Sequence, residues 1–152
     1  MKIGFIGLGN MGAPMVKRLV ASGHDITGYD VMESAMDALS EVKMNFSNDI
    51  LTAASEQEVV ITMLPNGEAL SRVVEAIIPV MPEGSCFIDC STVDINSTRR
   101  VAKLFKNAAI ALSISSEPGT LWPAATSLLA IVTPILPSPM KPIFMSFSMP
   151  AA

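Results

Sequence analysis

Hydrophobic and polar positions switch repeatedly between two periods over residues 1–106. The chain opens on a short apolar run, Lys2–Ile6, of strand length. Over residues 11–22, Met11, Met15 and Leu19 fall at i, i+4 and i+8, with Val16 and Val20 alongside and Lys17 and Arg18 elsewhere on the wheel. That is helical periodicity. Pro14 lies in the first turn, where its missing N–H costs little, and Gly23 is placed to end the helix as a C′ residue. Residues 26–30 read as a second strand, 33–41 as a helix and 43–45 as a short third strand. Ser47 is placed to cap a helix running through Ala54. Residues 58–64 form an apolar run closed by Pro65. Residues 68–78 carry Leu70, Val73, Val74 and Ile77 at helical spacing until Pro79 and Pro82 break the pattern. A strand at 85–90, a helix at 96–105 and a strand at 110–114 complete the series. Strands alternating with helices predict an α/β fold with a doubly wound parallel sheet.

The chemistry concentrates where the first strand ends. Gly7-Leu8-Gly9-Asn10-Met11-Gly12 is a G-x-G-x-x-G turn between a strand and a helix. Gly7 permits the tight turn, Gly9 lets a pyrophosphate approach the backbone, and Gly12 lets the helix pack close to the strand. The amide groups at the helix start then face the negative charge. Asp30 closes the second strand 23 residues after Gly7, near the spacing at which an acid meets the adenosine ribose hydroxyls of a dinucleotide in a Rossmann-type fold. A carboxylate there accepts from two hydroxyls and repels a 2′-phosphate. Val31-Met32-Glu33 supplies no Arg or Lys for such a phosphate, so NAD is favoured over NADP. The turn alone does not separate a dinucleotide from S-adenosylmethionine.

Composition narrows the picture further. The chain has 152 residues, half of them apolar, and a net charge of -4. One domain with a real core is expected, and nothing resembles a nucleic-acid footprint. The apolar run at 124–132 is too short to cross a bilayer, so no membrane partner is expected. The first strand is read from residue 2, so no signal or transit peptide is expected. Cytoplasm is expected in a bacterium, and the mitochondrial matrix in a eukaryote. Cys86 and Cys90 share one predicted strand about 13 Å apart, at ~3.3 Å per residue, too far for a disulfide. No further Cys or nearby His completes a metal site, and none is expected. The single His24 follows the Gly23 stop as a loop residue.

Three motifs together carry a family resemblance. They are Gly4-Phe5-Ile6-Gly7-Leu8-Gly9-Asn10-Met11-Gly12-Ala13-Pro14-Met15, Ile61-Thr62-Met63-Leu64-Pro65 and Phe87-Ile88-Asp89-Cys90-Ser91-Thr92-Val93-Asp94. In this order and at these separations the chain resembles the β-hydroxyacid dehydrogenases, the 3-hydroxyisobutyrate dehydrogenase branch above all, over about residues 1–106. This favours the dinucleotide over S-adenosylmethionine. The resemblance implies NAD-dependent oxidation of a short β-hydroxyacid. It places Gly7, Leu8, Gly9, Asn10, Met11 and Gly12 along the pyrophosphate and Asp30 on the ribose. It sets Leu64 and Pro65 along the cofactor, and Ser91 and Thr92 beside nicotinamide and substrate. Related sequences often carry an Asn four residues past the proline, where this chain has Ala69.

The pattern stops near residue 107. Residues 107–152 hold only Glu117 and Lys141 among charged residues, and 7 of the 11 prolines. The division expected is a dinucleotide-binding domain over 1–114 and an irregular tail over 115–152. The resemblance implies a next strand running into Asp-Ala-Pro-Val-Ser-Gly-Gly, then a helical domain that carries a catalytic Lys. Here Ser115-Ser116-Glu117-Pro118-Gly119 follows the strand. No catalytic residue is assigned within this chain, which on its own is expected to be inactive and not to form an oligomer. The alternative is a non-catalytic dinucleotide-binding fragment or a pseudogene-like remnant. Ile114-Ser115-Ser116-Glu117 can be encoded ATC TCC AGT GAG, which read one base later gives Ser-Pro-Val. A frameshift near residues 106–113 is therefore expected. Sequencing the gene checks it: a shifted frame should restore an Asp-Ala-Pro-Val-Ser-Gly-Gly-like stretch and a long downstream domain, and the idea fails if no frame does.

Overall fold

A computed structural model describes residues 1–106 and 108–114. Six strands, β1 (Lys2–Ile6), β2 (Asp25–Tyr29), β3 (Asn45–Phe46), β4 (Val59–Thr62), β5 (Cys86–Asp89) and β6 (Ala111–Ile114), form one sheet in the order β3-β2-β1-β4-β5-β6. Every pairing is parallel. Five helices connect them: α1 (Gly12–Ala21), α2 (Glu33–Asp37), α3 (Ile50–Ala54), α4 (Gly67–Ile77) and α5 (Ile95–Phe105). This is the doubly wound, Rossmann-like α/β architecture that the alternation predicts. The strand order reverses between β1 and β4, the position where such sheets open a crevice beyond the strand ends.

The two-residue period of the strands sorts their side chains onto two cores. Ile3 and Phe5 of β1, Ile26 of β2, Val59 and Ile61 of β4 and Ile88 of β5 pack with Val16 and Leu19 of α1 and with Leu39. Ile6, Val60 and Phe87 face the other way, onto Ala54, Leu70, Val74, Ile77, Val101 and Phe105 from α3, α4 and α5. Phe87 stacks on Phe105 with ring centroids 4.8 Å apart. Helix α1 closes as predicted around Gly23, whose φ is +83°. The Gly23 amide donates to the Val20 carbonyl and the His24 amide to the Leu19 carbonyl. This reciprocal pair satisfies the carbonyls that the helix end leaves open.

Element ends differ from the sequence reading in instructive ways. Helix α1 starts at Gly12, so Met11 lies outside it and is 63 % exposed rather than on the buried stripe. The helix expected at 33–41 is only Glu33–Asp37 and buries none of its own residues. It gives way to three-residue turn bonds around Leu39, which is the buried anchor there. Ser47 does not cap α3. Asp49 does, accepting from the Thr52 amide at 2.9 Å, while the Ser47 hydroxyl bonds the Asp49 backbone on both sides. The third strand sits at Asn45–Phe46, beginning two residues and ending one residue later than predicted. The tail expected at 115–152 lies outside the described residues.

Replacing Phe87 by Ala should remove the ring that joins β5 to α5 and leave a cavity in the second core. Truncations of this kind typically cost about 3–5 kcal/mol. A urea unfolding midpoint shifted by far less than this would show that α5 is not anchored through that contact.

Candidate functional site

Because all strands are parallel, the turns after β1, β2, β4 and β5 open on one edge of the sheet. These turns carry Gly7–Gly12, Asp30, Leu64-Pro65 and Ser91-Thr92, so the fold gathers every predicted site residue on that edge. They also touch in series. The Gly7 amide donates to the Tyr29 carbonyl at 2.9 Å. The Leu8 amide donates to Asp30 Oδ2 at 2.7 Å, and the Met32 amide to Asp30 Oδ1 at 2.8 Å. On the other side, a Cβ at Gly7 would stand 3.3 Å from Leu64 Cδ2. The Leu64 amide donates to Ser91 Oγ at 2.9 Å. A continuous rim therefore runs from Asp30 through the glycine turn to Ser91.

The three glycines have different reasons to be glycine. Gly7 has φ +99°, a conformation side chains rarely adopt, and a Cβ there would strike the Met63 carbonyl oxygen. A Cβ at Gly12 would strike the Gly7 carbonyl oxygen, so α1 approaches the strand as closely as the backbone allows. Gly9 has neither constraint. A Cβ there has nothing within 4 Å, and it is the only described glycine with both an ordinary φ and open space around it. The described protein gives no packing reason for a bare backbone at Gly9.

Helix α1 begins beside that open space with no side-chain cap and no acid in its first turn. Asp49, Asn66 and Asp94 each cap a helix of this protein with a side-chain oxygen. Unlike α3, α4 and α5, α1 is left ready for an anion at its N-terminus. Asn10 and Met11 are exposed at the mouth.

The far side of the rim rests on a buried polar cluster. Asp89 at the end of β5 is fully buried. Its Oδ1 accepts from Thr62 Oγ1 at 2.8 Å, from the Ser91 amide at 3.0 Å and from Ser91 Oγ at 2.5 Å. Its Oδ2 has no partner among the described residues. Burial raises the Asp89 carboxyl above its ordinary value, against the lowering pull of its hydrogen bonds to Ser91 and Thr62. Ser91 is 1 % exposed, and its hydroxyl is engaged with both Asp89 and Leu64. Pro65 and Thr92 are exposed, and Leu64 is half-buried. Burial also pushes the thiols of Cys86 and Cys90 up to about 12, helped at Cys90 by the Asp89 charge.

Sequence reasoning placed the rim but missed Asp89 and Thr62 as its support. The signal was present: a carboxylate closing an apolar strand is an unusual residue to bury. His24 stands before β2, at the opposite ends of the strands from the rim.

Residues 2–114 match the family model described as the NAD binding domain of 6-phosphogluconate dehydrogenase. The chain belongs to this family. Residues 2–114 are an NAD(P)-binding domain, and the chain is similar to 3-hydroxyisobutyrate dehydrogenases. It is 33 % identical over 130 residues to a probable 3-hydroxyisobutyrate dehydrogenase of Mycobacterium tuberculosis, covering 86 % of this chain and 44 % of that protein. It is 29 % identical over 135 residues to the NAD-dependent L-serine dehydrogenase of Pseudomonas aeruginosa, covering 86 % of this chain and 45 % of that one. The solved Mycobacterium tuberculosis 3-hydroxyisobutyrate dehydrogenase with L-serine superposes with a TM-score of 0.80 at 27 % identity, over 88 % of this chain and 51 % of that chain. The chain thus spans about half the length of the curated relatives it matches. The aligned 130 residues also exceed the 106 or so over which the sequence resemblance is expected to hold. No helix among the described residues is long and apolar enough to cross a membrane.

The raised Asp89 carboxyl carries a pH dependence. A group that holds its proton more tightly when folded contributes stability below its ordinary value of 3.8, and that contribution is lost as pH rises through the folded value. Asp89→Asn cannot ionise, so its stability relative to the parent should improve as pH rises from about 4 to about 8. The lowered carboxyls of Asp49 and Asp94 run the opposite way but are common to both proteins. Urea midpoints across this range measure the difference, and a pH-independent gap would contradict the assignment.

Proposed function

We propose that residues 1–114 form the dinucleotide-binding domain of an NAD-dependent dehydrogenase acting on 3-hydroxyisobutyrate or a related short β-hydroxyacid such as serine. The observation that carries this reading is the vacant approach to Gly9 beside the uncapped start of α1, with Asp30 hydrogen-bonded to the same turn. Pyrophosphate fits there against bare backbone and the positive end of a helix. The two backbone amides on Asp30 use one acceptor site on each oxygen, and an ionised carboxylate has about four. Asp30 therefore keeps capacity for the ribose hydroxyls, while its charge disfavours a 2′-phosphate. That is the ground for NAD over NADP.

With the adenosine half over β2, the strand order carries the other half across β1 toward β4 and β5. There the exposed Pro65 and Thr92 and the half-buried Leu64 form a wall, and Ser91 is buried beside them. Bound nicotinamide supplies the hydride-transfer chemistry, and the protein supplies orientation. Thr92 is the hydroxyl placed to meet carboxamide or substrate, whereas Ser91 supports the turn. The substrate reading rests on the relatives, two of which carry serine in their names or titles.

This chain alone should bind without turning over. The resemblance leads one to expect a catalytic Lys and a Ser-Gly-Gly substrate clamp, neither of which has a counterpart here. Lys103 lies near the end of α5 and Lys106 just past it, and α5 runs away from the rim toward the start of β6. General acid–base groups typically contribute about 10²–10⁴-fold. Purified chain incubated with NAD and either hydroxyacid should form no NADH above background, and robust turnover would mean that a base lies among the residues passed over.

Fluorescence titration should show tighter binding of NADH than of NADPH. Asp30→Ala should erase most of the preference, since a hydrogen bond to a charged group is worth about 1.5–3 kcal/mol. Equal affinities in the unmutated chain would sink the NAD assignment. Gly9→Val should weaken both ligands alike with the melting temperature little changed, because a Cβ there has no protein atom within 4 Å.

A further inference from the structure

Resting on the dinucleotide reading above, we propose that Asp89 is a positioning residue for the nicotinamide half of the cofactor. Through Ser91 it locks the turn after β4 to the turn after β5 and so fixes the wall formed by Leu64, Pro65 and Thr92.

The geometry is specific. Thr62 and Asp89 are register partners on adjacent strands, and their side chains join at 2.8 Å. The Ser91 hydroxyl stands between the two turns. It donates to Asp89 Oδ1 and accepts the Leu64 amide, a bond spanning 27 residues of sequence. Three donors converge on one carboxylate oxygen while the other is buried without a partner among the described residues. A carboxylate is a costly choice for a fully buried strand end with no cation paired to it among the described residues, and burial accordingly raises its carboxyl. A tie needed only for packing is met more simply by apolar side chains such as those one layer below, Val60 against Phe87. The polar tie instead holds a backbone amide and a hydroxyl in fixed directions at the rim, where the exposed side chains of Pro65 and Thr92 begin.

The test separates the two halves of the ligand. The unmutated chain is titrated with NADH and with ADP-ribose, which lacks nicotinamide. Asp89→Ala should weaken NADH by roughly tenfold or more, the equivalent of one lost charged hydrogen bond, and leave ADP-ribose within about twofold. Asp89→Asn keeps an acceptor oxygen in place and should restore most of the NADH affinity. The Leu64 amide should exchange faster with solvent in Asp89→Ala than in the parent chain, and this readout needs no ligand. If Asp89→Ala does not fold, Ser91→Ala cuts the same link at its centre and should give the same split. Equal loss of both ligands, or unchanged NADH affinity, overturns the positioning role while leaving the dinucleotide reading intact. If the unmutated chain binds neither ligand, the dinucleotide reading itself fails.

Discussion

Only a hydrogen atom fits between the Gly12 α-carbon and the carbonyl oxygen of Gly7. The rest of the rim depends on that contact. It brings α1 down onto the end of β1, which aims the uncapped helix start at the space over Gly9. It also holds the glycine turn close enough to β2 for the Leu8 amide to reach Asp30. A methyl group at Gly12 would lift the helix, and with it the direction of every amide in the turn. A loop of this kind binds through fixed backbone groups, so its usefulness is set by how little it can move.

The two ends of the rim are stiffened by different means. At β2, the Asp30 carboxylate lies near the surface and gathers two backbone amides. At β5, the Asp89 carboxylate is buried and gathers one side chain from β4 and one from the turn after β5. The first retains acceptor capacity toward solvent. The second is shielded from anything outside. One acid is open at the rim, and the other is closed beneath it.

Much of this was legible in the residues. The blocks 58–64 and 85–90 are too apolar and too short to be anything but buried strands once glycine and proline bound them. The glycine spacing fixes the turn, and the strand–helix alternation fixes the parallel sheet that brings all four turns to one edge. The misreadings have local causes. A helical wheel carries no information about its own first residue, so Met11 was put on a buried stripe that begins after it. Ser47 and Asp49 are both good capping residues, and only the backbone decides which one reaches an amide three residues on. Ser91 and Thr92 are adjacent hydroxyls that differ in burial, Ser91 buried and Thr92 exposed, which a run of two polar residues does not display. Asp89 was readable in principle: two-residue alternation puts it on the same face as Phe87, toward the core. Its partner Thr62 is fixed by strand register, which the sequence does not display.

Asp30 also sets a limit on redesign. Its side chain is the clasp that holds the Leu8 amide and, in the function proposed above, also the charge that faces the ribose. Changing this residue to admit a phosphorylated nucleotide therefore alters recognition and loosens the glycine turn in a single step. Val31 is 83 % exposed and Met32 61 % exposed, immediately downstream. A cation introduced at either position changes the charge presented to the ligand while leaving the clasp closed. The route to a different cofactor runs through these neighbours and not through the acid itself.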